Sequence, residues 1–238
     1  MDMEEHVKDA VRFFWETRER QAGKQKKADN RDQGMRSAVT GGTQMDGFVT
    51  MLSLLIQSSG IPEDCIFTKK RFLELPGFFR PTKEWDILVV QEQTLLVAIE
   101  LKSQVGPSFG NNFNNRTEEA MGSALDLWTA FRENAFNRPV RPWLGYLFLL
   151  EDCPKSQKPV KVREPHFKVL PEFREASYMQ RYELFCKKLV LERHYDSTVL
   201  ITSTRQAGIK GQYQEPCSDI GFDFFVKKLS AYLKGAAI

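Results

Sequence analysis

Long apolar runs, paired cysteines and clustered histidines are all missing from this 238-residue chain, and each absence removes a class of function. No stretch approaches the roughly 18 consecutive apolar residues of a membrane-spanning helix, so no membrane partner is expected. The four cysteines (Cys65, Cys153, Cys186, Cys217) are scattered without a C-x-x-C pair, and the three histidines (His6, His166, His194) lie far from them. That spacing speaks against a zinc centre and against a disulfide framework. Free thiols fit a reducing, cytoplasmic compartment. The chain opens on a charged, helix-patterned segment and not on the basic-then-apolar pattern of a secretory signal. A large charge of one sign is also missing. A formal net charge of +3 does not force a nucleic-acid partner, although residues 8–36 hold nine Lys or Arg against five Asp or Glu. That excess suits either a solvated helix face or contact with phosphates.

What is present is enough apolar material for a core, 42% hydrophobic and 12% aromatic. The helical spacing of Val7, Val11, Phe14, Trp15 and Arg18 predicts an amphipathic helix over 4–20. A polar, charged segment over 21–36 and a break at Thr40-Gly41-Gly42-Thr43 follow. A second helix is predicted over 43–59, with Met45, Phe48, Val49, Leu52, Leu55 and Ile56 facing inward. Residues 66–80 read as irregular strand and loop. Two β runs, 85–90 and 95–102, joined by Gln91-Glu92-Gln93-Thr94, predict an antiparallel hairpin. Then come a Gly/Asn-rich loop over 103–116, a helix over 118–136 capped by Thr117, and a central strand over 143–150, nearly continuous in apolar residues. A proline-rich connection (151–176), a helix (177–194), a short strand (198–203) and a last helix (219–234) complete the reading. The aromatic stripe Tyr178, Tyr182, Phe185 reads as core. The pattern is α/β, a mixed sheet between helices. It is read as a single domain over 1–238, with a core at about 40–205 and a helical N-terminal segment over 1–36.

The hairpin carries the chemistry. Strand side chains alternate faces, so Glu100 and Lys102 share one face and Leu101 takes the other. If the hairpin turns about Gln93, paired residue numbers sum to about 186, and Asp86 stands opposite Glu100. Directly opposed residues have Cβ atoms about 4.5–5.5 Å apart, so two carboxylates and an ammonium converge at one end of the sheet. Hard carboxylate oxygens suit Mg²⁺, with the Leu101 backbone carbonyl as a further oxygen ligand. The lysine suits charge stabilisation at a phosphodiester. The competing reading is a surface cross-strand ion pair. Charge at the end of so apolar a strand, Leu95 to Ile99, is costly unless it is used.

Asp86 followed by Glu100-Leu101-Lys102 resembles the PD-(D/E)xK nuclease signature. The segment from Leu101 to Arg116 resembles the XhoI-type type II restriction endonucleases. So do Thr40-Gly41-Gly42, Leu75-Pro76-Gly77-Phe78, Trp85-Asp86, Glu118 to Trp128, Arg141 to Tyr146, Leu149 to Pro154 and Arg181-Tyr182-Glu183. The resemblance spans roughly residues 35–200. It implies a restriction-endonuclease-like core with a catalytic hairpin, Mg²⁺, and a homodimer on the palindrome CTCGAG. It further implies cutting after the first C to leave four-base 5′ overhangs, and a partner methyltransferase protecting host DNA. No proline directly precedes Asp86; Trp85 does, and the nearest is Pro81. Some related nucleases add an acid from a helix before the hairpin, which makes Asp46 a candidate metal ligand. The acid-free segment after β-character ends offers Gln104, Ser108, Asn111, Asn112, Asn114, Asn115 and Arg116 as DNA contacts, since Asn and Arg can read base edges. Lys69 and Lys70 are further phosphate candidates. A repair or resolvase-type nuclease with the same hairpin, or a DNA-binding module without catalysis, remains open at this level.

Overall fold

The computed structural model describes residues 3–28, 43–136 and 140–236, with the side chains of all of these except 24–28. The expected break at Thr40-Gly41-Gly42 and residues 29–36 of the 21–36 segment lie outside the described residues. Helix α1 (Met3–Ala28) buries Val7, Val11, Phe14 and Trp15 as its periodicity requires. Helix α2 (Asp46–Ser58), entered through a 3₁₀ turn at Thr43–Met45, buries Phe48, Met51, Leu52, Leu55 and Ile56. Short strands β1 (Ile66–Phe67), β2 (Glu74–Pro76) and β3 (Thr82–Glu84) follow, and β2 and β3 form a small antiparallel ribbon of their own.

The main sheet has the order β1-β4-β5-β6-β7, with β4 (Ile87–Gln91), β5 (Thr94–Gln104), β6 (Trp143–Glu151) and β7 (Ser197–Ser203). Pairing is antiparallel from β1 to β5 and parallel from β5 to β7. All nine residues of β6 are buried, as a central strand covered on both faces demands. Core residues alternate along the strands between two clusters. Ile87, Val97, Ile99, Leu101, Leu147 and Val199 pack under α1, α2 and α7 (Phe222–Ala236). Leu88, Ala98, Tyr146, Phe148 and Leu200 pack under α3 (Phe109–Arg132) and α5 (Tyr178–Leu191), where Tyr182 and Phe185 belong. Two short helices, α4 (Pro154–Gln157) and α6 (Arg205–Gly208), sit just past the ends of β6 and β7.

The expected start of α3, with Thr117 as its cap, fails, since Thr117 lies inside the helix. Most of the predicted loop over 103–116 is helix, because α3 starts at Phe109, not near 118. Asn and Gly are poor helix formers, so propensity reads the segment as loop. Packing decides otherwise: Phe109 stacks on Tyr178 at 5.7 Å, and Phe113, one turn on, meets Tyr182 edge-on at 5.0 Å.

Candidate active site on the β4–β5 hairpin

The hairpin turns on Glu92 and Gln93, whose φ values of 48° and 61° give a two-residue turn of the left-handed kind. Near the turn the pairs are Gln91–Thr94 and Val90–Leu95. A bulge then shifts the register to Val89–Val97, Leu88–Ala98 and Ile87–Ile99, whose numbers sum to 186. Asp86 lies one residue past the end of β4, and its N–H donates to the Ile99 carbonyl at 3.1 Å. Its carboxylate Oδ2 accepts the Leu101 N–H at 2.7 Å, filling the place of the strand that has ended. A residue in an antiparallel strand turns its N–H and C=O to the same neighbour, so the Leu101 carbonyl faces the side Asp86 occupies.

Glu100 is buried on the α3/α5 face of the sheet, and Lys102 lies two residues on. Each Glu100 oxygen holds an ammonium: Oε1 pairs with Lys102, and Oε2 accepts from Lys83 Nζ at 2.7 Å. Burial alone would push the Glu100 carboxyl up, but Lys102 and Lys83 together hold it below its usual range. Burial works against the Lys102 ammonium, yet Glu100 and Asp86 outweigh it and keep it charged. Asp86 has the weaker compensation. Burial first, then the neighbouring Glu100 charge, raise its carboxyl to about 6 despite Lys102, the Leu101 N–H and Lys83.

Lys83 is the residue that sequence reasoning missed. It lies on β3, three residues before Asp86, and its ammonium also sits 4.9 Å from the Trp85 ring centre. Nothing in the signature flags it; only the ribbon that folds β3 over the hairpin brings it to Glu100. That ribbon is anchored by a second unforeseen residue, Asp126 of α3. Its buried carboxylate accepts from the backbone N–H groups of Phe78 and Phe79 at 2.7 and 2.8 Å and from Arg80 Nε at 2.7 Å. A Cβ on Gly77 would fall 2.6 Å from Asp126 Oδ2, so only glycine permits this close approach.

The other predicted residues are placed differently. Arg116 reaches the cluster: its charge acts on Lys102, while its Nη1 bonds Glu119 at 2.6 Å. Ser108, Asn111, Asn114 and Asn115 are exposed on or beside the first turns of α3, and Asn112 is half-buried there. Lys69 and Lys70 are exposed beyond β1, with Lys70 3.9 Å from Glu84. Gln104 does share the face of Glu100 and Lys102, but it is only 2% exposed and its amide donates to the Val105 carbonyl. Asp46 is exposed in the first turn of α2, and the charges acting most strongly on Asp86 and Glu100 do not include it. Among the described residues no three acids, histidines or cysteines form a metal cluster. The hairpin therefore offers two carboxylates and a carbonyl, a hard-oxygen set.

Comparison with known proteins gives a consistent picture. The family model of restriction endonuclease XhoI matches residues 24–215. The type II restriction enzyme BstVI of Geobacillus stearothermophilus is 56% identical over 213 residues, 87% of this chain and 95% of that protein. The type II restriction enzyme XhoI of Xanthomonas vasicola is 51% identical over 160 residues, 67% of this chain and 64% of that protein. The type II restriction enzyme AbrI of Azospirillum brasilense is 48% identical over 167 residues, 70% of this chain and 75% of that protein. No solved structure gives a significant match.

Proposed function

Because the chain belongs to the XhoI restriction endonuclease family, we propose that it cuts duplex DNA at the palindrome CTCGAG, after the first C of each strand, through Asp86, Glu100 and Lys102. The observation that carries the reading is the convergence of these three groups at the end of a buried hairpin. Asp86 is locked by the Leu101 N–H, and Glu100 is held between two ammoniums.

A divalent cation fits the donor set. Mg²⁺ takes one or two carboxylates plus water and phosphate oxygens, and Asp86, Glu100 and the Leu101 carbonyl supply the protein's share. Such an ion supplies Lewis acidity at the phosphoryl group and makes water a stronger acid. The chain's own residues do the rest. Lys102 stays an ammonium beside Glu100, so its role is to stabilise negative charge on the phosphoryl oxygens as the bond breaks. Arg116 adds a second positive charge close to it. Asp86 and Glu100 hold the cation, with Asp46 a further candidate from α2. Ser108, Asn111, Asn112, Asn114, Asn115 and Arg116 lie on or beside the turns of α3 that leave the hairpin, and they take backbone or base contacts. Gln104, buried on the face of Glu100 and Lys102, holds the Val105 carbonyl at the start of that segment, and Lys69 and Lys70 meet phosphate farther along. A palindromic target requires two-fold symmetry, so the working unit is a homodimer. A methyltransferase of the same specificity protects the host.

The test is digestion of a plasmid with known CTCGAG sites in Mg²⁺, read by run-off sequencing. Discrete fragments with TCGA overhangs are the expected result. Glu100→Gln and Lys102→Ala should each lower kcat by at least about 10²–10³ with unchanged far-UV dichroism. Random or structure-dependent nicking would sink the sequence assignment in favour of a repair-type nuclease. Full activity in both variants would sink the hairpin as the site of chemistry.

A further inference from the structure

On the face of the sheet turned away from Lys102, the ends of β6 and β7 carry a charged cleft that the hairpin chemistry does not use. Glu151 and Ser203 pair as the last residues of these two strands. Trp15 of α1 donates from Nε1 to Ser203 Oγ at 3.2 Å. Helix α6 lies against the same indole, and a Cβ on Gly208 would fall 1.9 Å from Trp15 Cδ1, so glycine is required there. This packing sets the Arg205 guanidinium 5.9 Å from the Trp15 ring centre and its Nη2 3.5 Å from Glu151 Oε1. Arg18, one turn along α1 from Trp15, completes a cleft of about 310 Å³ lined by Trp15, Arg18, Glu19, Ala22, Gly23 and Arg205.

Arg18 is the anomaly. It is half-buried and has five N–H donors, yet it makes no hydrogen bond or ion pair among the described residues. Burial, and then the Arg205 charge, hold its guanidinium below the usual range, with Glu151 pulling the other way. Glu151 is already committed, since its Oε2 accepts the Gly106 N–H at 2.8 Å. Arg18 lies ten residues before the last residue of α1, outside the last turn in which a helix dipole favours a cation, so the dipole does not account for a half-buried arginine held beside a second arginine. By sequence, residues 18–28 hold five Lys or Arg against one Glu, so the helix turns strongly basic where the cleft begins.

We propose that this cleft holds a DNA backbone phosphate flanking the one that is cut, with Arg18 and Arg205 as its donors and Trp15 as its floor. The proposal rests on the DNA-cleaving reading. Guanidinium groups suit phosphate because they can donate two parallel hydrogen bonds. Neighbouring strands lie about 4.8 Å apart, so β7 is roughly 10 Å from β5. The cleft also lies on the opposite face of the sheet from Lys102, so the phosphate it holds is a different one from the scissile phosphate.

The test compares wild type with Arg205→Gln and Arg18→Met in binding fluorescent duplexes without divalent cations, across a salt series. The slope of log affinity against log salt should shrink by about 1 in each variant. Affinity should fall by the same factor on a CTCGAG duplex and a scrambled one. The difference should vanish on a duplex trimmed of its flanking phosphates. Unchanged slopes at wild-type melting temperature, or equal losses on the trimmed duplex, overturn the proposal. If Arg18→Met does not fold, the exposed Arg205→Gln decides alone. A wild type that cuts DNA while both slopes stay unchanged sinks the cleft only. A wild type that binds no duplex sinks the nuclease reading and the cleft with it.

Discussion

Asp86 and Lys83 show how unevenly charge is compensated at the hairpin, and the imbalance has measurable consequences. The Asp86 carboxyl titrates at about 6 in the metal-free fold, above the roughly 3.9 of an unfolded chain. Between these values the folded state binds the extra proton, so stability falls as pH rises through this window and levels off above it. The full effect is at most about 3 kcal/mol at roughly 1.4 kcal/mol per pKa unit. Asp86→Asn should therefore melt several degrees higher than wild type at pH 8 in EDTA, and the gap should close by about pH 4. Equal melting temperatures at pH 8 would show that Asp86 is not a burdened carboxylate. Lys83 makes the opposite contribution. It occupies the Glu100 oxygen that Lys102 does not. Lys83→Met should lower metal-free stability by about 1–3 kcal/mol, the worth of a charged hydrogen bond. It should also let Mn²⁺ or Mg²⁺ stabilise the protein at lower concentration, because a carboxylate oxygen is freed and a competing cation is gone. Thermal melts across a metal titration read both effects; weaker metal binding would assign Lys83 a different place in the site.

At the scale of elements, α3 joins the site to its scaffold. Its first turns present Asn111, Asn114 and Asn115 to solvent, and Asp126 near its far end pins the turn leading into β3. The asparagines are costly residues in an exposed helix, each about 0.5–0.7 kcal/mol worse than alanine. Asn114→Ala with Asn115→Ala should therefore raise stability by about 1 kcal/mol. If these side chains touch DNA, the same pair should weaken duplex binding. A double variant that gains stability and keeps full affinity would remove both from the DNA surface. Other segments that carry the family likeness hold the frame together. Arg141 bonds Asp196 at 2.6 Å and lies over Trp128, and Asp196 also accepts the Leu144 N–H. Arg181 ties the proline-rich connection down through the Ala176 and Val160 carbonyls. Likeness along the chain thus marks packing as well as chemistry.

At the scale of the whole molecule, one sheet separates two charged sites. The hairpin cluster faces α3 and α5, and the arginine cleft lies under α1 and α6, both at the end where the parallel strands β5, β6 and β7 finish. A duplex laid across that end would meet both. Helix α1, read from sequence as part of an N-terminal segment, supplies Phe14 and Trp15 to the same cluster as the central strands. No helix among the described residues is long and apolar enough to cross a membrane.

Alternation and local pairing are short-range properties, so the sequence by itself determined the hairpin, its register at Ile87–Ile99, the shared face of Glu100 and Lys102, and the bounds of β5, β6 and β7 to within two residues. The family likeness of residues 101–116 was equally legible. What needed the tertiary structure were features set by distant partners. The helical state of 109–116 is imposed by Tyr178 and Tyr182. The second ammonium on Glu100 arrives on a ribbon pinned by Asp126. Arg18 and Arg205, nearly the length of the chain apart, meet only because Gly208 lets α6 lie on Trp15. Local pattern carries no information about contacts of such sequence separation, and burial, charge compensation and site assembly all depend on them.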